Sequence, residues 1–208
     1  MEFEKLSFES LLGAFASDAP TPGGGTAAAL AAAMGAALAE MVCALTLSKE
    51  KYAASHDAVR PIAGAARRAR QEFLWLARED SDAYEAVVAA RGLPRETDAQ
   101  RGARARRVTE ANRLAAEVPM RTARAAVRLL ATLPDLAAKG NPNAVTDAGT
   151  AALLLEAAAQ AALLNVAINL TGADDRDFVA SMQAESETTA REVTRLRERV
   201  LDTVRKAF

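Results

Sequence analysis

Large apolar residues recur at three- and four-residue intervals through almost the whole chain, the repeat of a helix with one buried face, and no stretch alternates in the manner of a strand. Ser7 reads as the N-cap of a short helix carrying Phe8, Leu11, Leu12 and Phe15 on one face, which should stop near Asp18 because Pro20 and Pro22 follow. After a loop over residues 19–26, a long helix is predicted over residues 26–52. There Leu30, Met34, Leu38, Met41 and Leu45 keep the helical interval while alanines and Gly35 fill the remainder, so a neighbouring backbone can come close and this helix should be central. A third helix should begin with Pro61 near its first turn and end at Arg91, before Gly92 and Pro94. A fourth should start at Thr97 or Asp98, kink or hand over at Pro119, and continue to about Thr132. Beyond Lys139 the chain turns through residues 140–147. Asp147 is the expected N-cap of a helix over residues 148–170, and a last helix is expected over residues 175–206.

Six or seven helices in one domain spanning residues 1–208 follow, an all-α bundle. Composition sharpens this picture, because 52 of the 208 residues are alanine and only nine are aromatic, which suits closely packed helices and argues against a sandwich or barrel. Several helices are apolar around most of their circumference. A chain of this size has few fully enclosed positions, so a homodimer formed through small-residue-rich helix faces is expected.

Charge and rare residues narrow the function. With 26 Lys and Arg against 27 Asp and Glu, the chain lacks the basic surplus of a nucleic-acid binder, and the run Arg101, Arg104, Arg106 and Arg107 reads as a solvated helix face. One cysteine, Cys43, and one histidine, His56, leave no disulfide, no cysteine- or histidine-based metal site and little for a Ser-His-Asp triad. Cys43 belongs to a core face, and His56 to a loop without a role. The opening MEFEKLSFESLL has neither the basic start nor the apolar run of a secretory leader, so a cytoplasmic protein is expected. The two most apolar segments are interrupted by Glu40 and by Glu156, Gln160, Asn165 and Asn169, which favours buried helices over membrane spans.

The candidate chemistry begins on the third helix. Ile62, Ala66, Ala69, Phe73, Leu76, Ala83, Tyr84 and Val87 form one stripe, and Asp80 falls in its middle, one turn from Leu76 and from Tyr84, while Glu79 and Asp82 lie to the side. A carboxyl turned inward is pushed toward its neutral form by desolvation, which brings it into the range for proton transfer near neutral pH; the structural alternative is a buried Asp satisfied as a helix cap or by an Arg. Gly23, Gly24 and Gly25 precede a helix N-terminus, where bare amides can meet an anion or oxyanion, or where small residues simply permit tight packing. The turn at residues 140–147 offers Asn141, Asn143 and Asp147, groups that could pair with the edge of a heterocycle or form Asx turns and a cap. Asn165 and Asn169 share a helix face and need partners if buried. Lys49 and Lys51 suit the negative end of a helix and could also hold a ligand carboxylate.

Six segments taken in order resemble the cyclodeaminase/cyclohydrolase family, known as the C-terminal domain of formiminotransferase-cyclodeaminase and as free-standing bacterial proteins. They are Pro20-Thr21-Pro22-Gly23-Gly24-Gly25-Thr26, Lys49-Glu50-Lys51-Tyr52, Asp80 with Ala83-Tyr84, Glu117-Val118-Pro119, the turn from Gly140 to Asp147, and Asn165-Val166-Ala167-Ile168-Asn169-Leu170. Glu50 departs from a commonly basic position, and Tyr84 stands where Phe is frequent. The resemblance implies a dimeric helical enzyme of one-carbon tetrahydrofolates with no tightly bound cofactor. Such an enzyme either expels ammonia from 5-formiminotetrahydrofolate to make the 5,10-methenyl bridge or opens that bridge with water. The family's proton-transferring aspartate falls on Asp80. Pro22, Gly23, Gly24, Gly25, Thr26, Asn141, Asn143, Asp147 and Asn165 are then expected around the substrate, and Lys49 and Lys51 near its glutamate carboxylate. A non-catalytic folate-binding or helical assembly protein is the competing class.

Overall fold

A computed structural model describes residues 3–207 of the chain. Among these residues there are seven α-helices and no strand: α1 (Phe8–Phe15), α2 (Gly24–Leu47), α3 (His56–Arg91), α4 (Asp98–Leu130), α5 (Leu133–Lys139), α6 (Val145–Leu170) and α7 (Arg176–Arg205). Short 3-10 turns occupy Phe3–Lys5, Glu50–Ser55 and Pro142–Ala144.

Local side-chain chemistry accounts for three of the seven helix starts. The Ser7 hydroxyl accepts from the Ser10 amide at the start of α1, and Asp175 accepts from the Phe178 amide at the start of α7. Thr97 and Gln100 form a reciprocal capping box on α4. Other boundaries correct the sequence reading. The second helix starts two residues early, at Gly24, and ends at Leu47, so Lys49, Lys51 and Tyr52 belong to the 3-10 turn. The third starts at His56, which is therefore helical, with Nε2 buried and without a partner. Pro61 and Pro119 both lie inside continuous helices. Asp147 sits in the first turn of α6 instead of capping it, since α6 begins at Val145. The unforeseen α5 begins one residue before Pro134, a position where a missing amide hydrogen costs nothing.

Four long helices form a closed ring in which α2 packs on α3 and α6, and α4 packs on the other flanks of the same two helices. Helix α7 covers α6 and α4, and α5 fills the end between α7 and α3. Alanine makes this possible: Ala28, Ala29, Ala32, Ala36 and Ala39 of α2 and Ala148, Ala151, Ala152, Ala158, Ala159 and Ala162 of α6 all belong to one continuous core. At Gly35 an added Cβ would lie 3.1 Å from the Ala151 carbonyl oxygen and 3.1 Å from Leu155 Cγ, so the two backbones nearly touch there. Larger residues fill the other side of the core, where Phe73, Leu76, Met120, Leu130 and Leu196 are fully enclosed. Cys43 is buried as expected, and its thiol is pushed up to about 12 chiefly by desolvation, with Glu40 adding to the effect, which leaves it inert as a nucleophile.

The basic run behaves as a surface. Arg101 pairs with Asp98, Arg107 with Glu110, and Arg104 donates to the Arg91 carbonyl. Two helical stretches, Gly24–Leu47 and Pro142–Leu170, are long and apolar enough to cross a membrane by length and composition, and here they are the central packed pair. Their outward faces remain apolar, with Met34, Met41 and Leu45 on α2 and Leu153, Leu164 and Ile168 on α6 all exposed in the single chain.

Two glycine substitutions separate packing from backbone effects. Gly35→Val should destabilise the fold by about 1–3 kcal/mol, because the α2–α6 crossing cannot admit a branched side chain without moving backbone. Gly102→Ala, whose new methyl would meet only the flexible end of Arg106 at 3.8 Å, should stabilise it by about 0.5–1 kcal/mol through helix propensity. Urea unfolding of the two variants beside the parent chain checks both signs.

Candidate active site

The glycine triplet and Asp80 meet. Helix α2 begins at Gly24 with no side-chain cap from its own flanking residue, Gly23, and the carboxyl group of Asp80 from α3 fills that position from across the helix pair. The Thr26 hydroxyl donates to Asp80 Oδ2 at 2.9 Å and lies 3.1 Å from Ser81 Oγ, and the Thr26 main-chain amide adds a further bond to the carboxylate. Thr26 and Ser81 are buried. The structural and functional alternatives for Asp80 therefore coincide in one group, a carboxylate that caps a helix and also lines a cavity.

The reason for glycine at these positions is the absence of Cβ. No glycine in the described chain has a positive φ. A Cβ on Gly25 would lie 2.1 Å from Asp80 Oδ1, and one on Gly24 would lie 3.2 Å from Asn165 Nδ2. Any larger residue at position 25 would expel the acid from its seat.

Two opposed influences set the protonation of Asp80. Burial disfavours the charge and is the larger influence, while the hydrogen bonds from Thr26 favour the carboxylate; the net effect holds the pKa above the usual aspartate range. The folded protein thus retains the Asp80 proton to higher pH than an exposed aspartate would.

The cavity in front of Asp80 has a volume of about 400 Å³. Gly23, Gly24, Gly25 and Asp80 line it at the start of α2, the α3 side continues through Tyr84 and Val87 to Arg91, and the remaining walls come from Asn112 and Ala115 of α4 and from Asn165, Ile168 and Asn169 of α6. The three asparagines are held alike. Asn165 Nδ2 donates to the Ala161 carbonyl at 2.9 Å, Asn169 Nδ2 to the Ala115 carbonyl at 2.6 Å, and Asn112 Nδ2 to the Gly172 carbonyl. A carbonyl partner can only face the NH2 end of an amide, so this assignment fixes all three orientations. Their carboxamide oxygens accept from none of the described residues and are the groups left for a ligand.

The structure gathers Gly23, Gly24, Gly25, Thr26, Asp80 and Asn165 of the sequence-predicted set, and separates the others. Pro22, joined to Thr21 by a cis peptide, is buried behind the loop, and the cavity is lined instead by Pro20 and Thr21. Lys49, Lys51, Asn141 and Asn143 lie toward the other end of α2, whose 24 residues separate its two ends by roughly 35 Å at 1.5 Å per residue. Asp147 lies one turn of α6 before Ala151, which meets Gly35 of α2, and none of the five lines the cavity in front of Asp80.

That second group has a structural account of its own. Asn141 is buried, its amide donates to Thr46 Oγ1 at 2.9 Å, and its Oδ1 accepts from the Tyr52 hydroxyl at 2.8 Å and the Asn143 amide at 3.1 Å. Lys51 Nζ stands over the Tyr52 ring, 4.8 Å from its centroid. An Asx turn and a tyrosine thus tie the turn before α6 to the end of α2.

Sequence reasoning missed Asn112 and Arg91 as lining residues. Arg91 falls eleven residues after Asp80, on the same stripe of α3, so helical spacing alone could have found it. Asn112 carries no such signal, because its place depends on how α4 docks.

An all-helical domain with a recessed carboxyl seated on a glycine-rich helix start belongs to a class already suggested by the sequence motifs, and comparison identifies it. Residues 7–188 match the family described as formiminotransferase-cyclodeaminase, and the chain belongs to that family. It is 39% identical over 199 residues to the methenyltetrahydrofolate cyclohydrolase of Methylorubrum extorquens, covering 96% of each chain. It is 33% identical over 176 residues to the formimidoyltransferase-cyclodeaminase of Mus musculus, covering 81% of this chain and 32% of that one, so it spans about a third of the length of that relative. The solved structure of formiminotetrahydrofolate cyclodeaminase from Thermotoga maritima superposes with a TM-score of 0.88 at 32% identity, covering 99% of this chain and 98% of the other.

The hydroxyl of Thr26 offers a direct test of the balance at Asp80. In Thr26→Val the burial stays and one carboxylate-stabilising bond goes, so the Asp80 pKa should rise further. A carbon-detected NMR titration of the Asp80 carboxyl should show the midpoint move to higher pH; movement to lower pH would contradict the account.

Proposed function

We propose that the chain is an enzyme of one-carbon tetrahydrofolates that makes or opens the 5,10-methenyl bridge, with Asp80 as the proton-transfer group. The single observation that carries this reading is the placement of Asp80, a carboxyl with a raised pKa, recessed at the head of a cavity that is also lined by the side-chain amides of Asn112, Asn165 and Asn169. Two reactions share these demands. Full-length similarity to a methenyltetrahydrofolate cyclohydrolase supports hydrolysis, and similarity to a cyclodeaminase over nearly the whole fold supports ammonia release.

In hydrolysis, water adds to the cationic methenyl carbon between N5 and N10 and a base takes its proton as the C–O bond forms; the C–N5 bond of the resulting carbinolamine then breaks as N5 takes up a proton, leaving the formyl group on N10. Asp80, once ionised, is suited to the first of these steps. In cyclodeamination, N10 attacks the formimino carbon, the N10 proton is removed, and the resulting aminal expels its nitrogen as ammonia after protonation. A carboxyl whose pKa is raised above the usual aspartate range can accept the first proton and return one to the departing nitrogen. Thr26 keeps the carboxyl oriented through both steps, and Gly25 keeps space for it. The side-chain amide of Asn165, beside Gly24 at the Asp80 end of the cavity, supplies an acceptor for N–H groups of the pterin. Each step moves only protons and bonds at one carbon.

We further infer that a second copy of the chain covers the exposed apolar face of α2 and α6. Leu164 is 73% exposed and Ile168 64%, on a helix whose other side is core. Water contact over such a face is unfavourable at about 25 cal/mol per Å². Leu164→Glu should shift the species seen by sedimentation equilibrium toward monomer.

Asp80→Asn should abolish turnover while sparing helical content and folate binding, because the amide keeps the shape and loses the transferable proton. Methenyl absorbance separates the two reactions: it rises from 5-formiminotetrahydrofolate under a cyclodeaminase and decays from 5,10-methenyltetrahydrofolate under a cyclohydrolase. Full turnover of both substrates by the Asn variant would remove Asp80 from the mechanism.

A further inference from the structure

Asp80, Tyr84, Val87 and Arg91 succeed one another along α3 at steps of four, three and four residues, so they lie on one helix face, and all four line the same cavity. Read from the glycine-rich end, the strip presents a carboxyl, an aromatic ring, a branched aliphatic group and a guanidinium. Eleven residues separate the acid from the cation, a rise of about 16 Å at 1.5 Å per residue. Long side chains on a helix lean toward its N-terminus, which brings the Arg91 head back toward Asp80 and shortens that span.

The environment of Arg91 marks its guanidinium as available. Among the described residues lining the cavity it is the one cation, and no described carboxylate pairs with it. Its Nη2 stands 3.5 Å from the point where a Cβ on Gly172 would sit, so the turn after α6 passes close beside it. Arg104 of α4 donates twice to the Arg91 main-chain carbonyl, at 3.2 and 3.1 Å, which fixes the end of α3 on which the side chain is mounted. The lysines expected from sequence to hold a carboxylate, Lys49 and Lys51, are at the far end of α2. The cavity therefore supplies its own cation on the opposite end from its acid.

Resting on the folate reading above, we propose that Arg91 anchors the glutamate carboxylate of the bound folate, with Tyr84 and Val87 along the intervening p-aminobenzoyl ring. The order of groups on the strip matches the order of groups on the ligand: reacting nitrogens, aromatic ring, amide, carboxylate. From N10 to the first glutamate carboxylate the substrate extends on the order of 10 Å, taking about 3.6 Å per extended residue beyond the ring, which the inclined Arg91 side chain accommodates. Tyr84 is 44% exposed at the cavity wall, where its ring can pack against another aromatic group. Guanidinium matches carboxylate with two parallel hydrogen bonds, so the pair fixes the tail in direction as well as in place. Arg91 is on this account a binding and specificity residue that holds the one-carbon unit in register with Asp80.

Tetrahydropteroate, which keeps the pterin and the ring and lacks glutamate, isolates the contact. Calorimetry of tetrahydrofolate and tetrahydropteroate binding to the full chain, to Arg91→Gln and to Arg91→Lys reads it directly. The parent chain should prefer tetrahydrofolate by roughly 10- to 100-fold, the range of a charge-assisted pair. Arg91→Gln should bind tetrahydropteroate as the parent does and lose the preference, and Arg91→Lys should restore part of it. An Arg91→Gln protein that keeps the full preference overturns the anchor and leaves the folate reading standing. Loss of both ligands by that variant with helical content intact makes Arg91 a structural support and also overturns it. A parent chain that binds neither compound overturns the folate reading itself, and the anchor with it.

Discussion

The contact on which the site depends is that between Asp80 and the first turn of α2. A helix start leaves main-chain amide hydrogens without partners and carries a partial positive charge. Gly23 provides no side chain to satisfy it. Asp80 does so from another helix, through the Thr26 hydroxyl and amide, and the approach is possible only because Gly25 has no Cβ to occupy the space. The interaction ties α2 to α3 and at the same time fixes the single carboxyl at the head of the cavity. Burial works against the charge while the helix start works for it. A group held between two such influences exchanges its proton more readily than one that either influence dominates.

Holding that contact in place is a matter of small residues. Asp80 reaches the α2 start only if α2 and α3 pack closely along their length, and α2 is also pressed against α6 through Gly35. Alanine gives each helix a narrow profile, loses little entropy on folding and allows two neighbours to approach the same helix from both sides. The consequence is a ring of four long helices in which the side walls of the cavity, α3, α4 and α6, are mutually braced. Asn112 and Asn169 extend the bracing by bonding main-chain carbonyls on the facing segment. Each commits one N–H to the scaffold, which fixes the orientation of its amide.

Much of this was legible in the chain because it depends on periodicity. The stripe from Ile62 to Val87 predicted α3 and turned Asp80 inward, and every apolar member of the stripe except Tyr84 is buried. The glycine triplet announced a close approach, although what approaches is the protein's own carboxyl and Asn165. Properties set by docking were not legible. The sequence places Lys49, Asn143 and Gly25 all beside helix ends, but only the fold tells which ends share a cavity, and α2 holds the first two away from the third. Proline was a poor guide for the same reason: Pro119 is buried in α4, where neighbouring helices support the continuous backbone. Asn112, on an otherwise charged helix, acquires meaning only from the turn it meets.

The distribution of polarity within the cavity gives the site a direction. At the inner end stand the carboxyl of Asp80 and the acceptors of Asn165, a setting that favours N–H groups and positive charge and disfavours an anion. At the other end stands Arg91, which reverses the preference. A molecule that is neutral or cationic at its reacting end and anionic at its tail enters such a cavity in one orientation, because the reversed pose would set its carboxylate beside Asp80 and leave the guanidinium unpaired. Like charges brought together in a recessed site raise the energy steeply, since little water is present to screen them. Orientation is thereby decided before any bond to the reacting carbon changes, and the acid needs only to be where the helix start holds it.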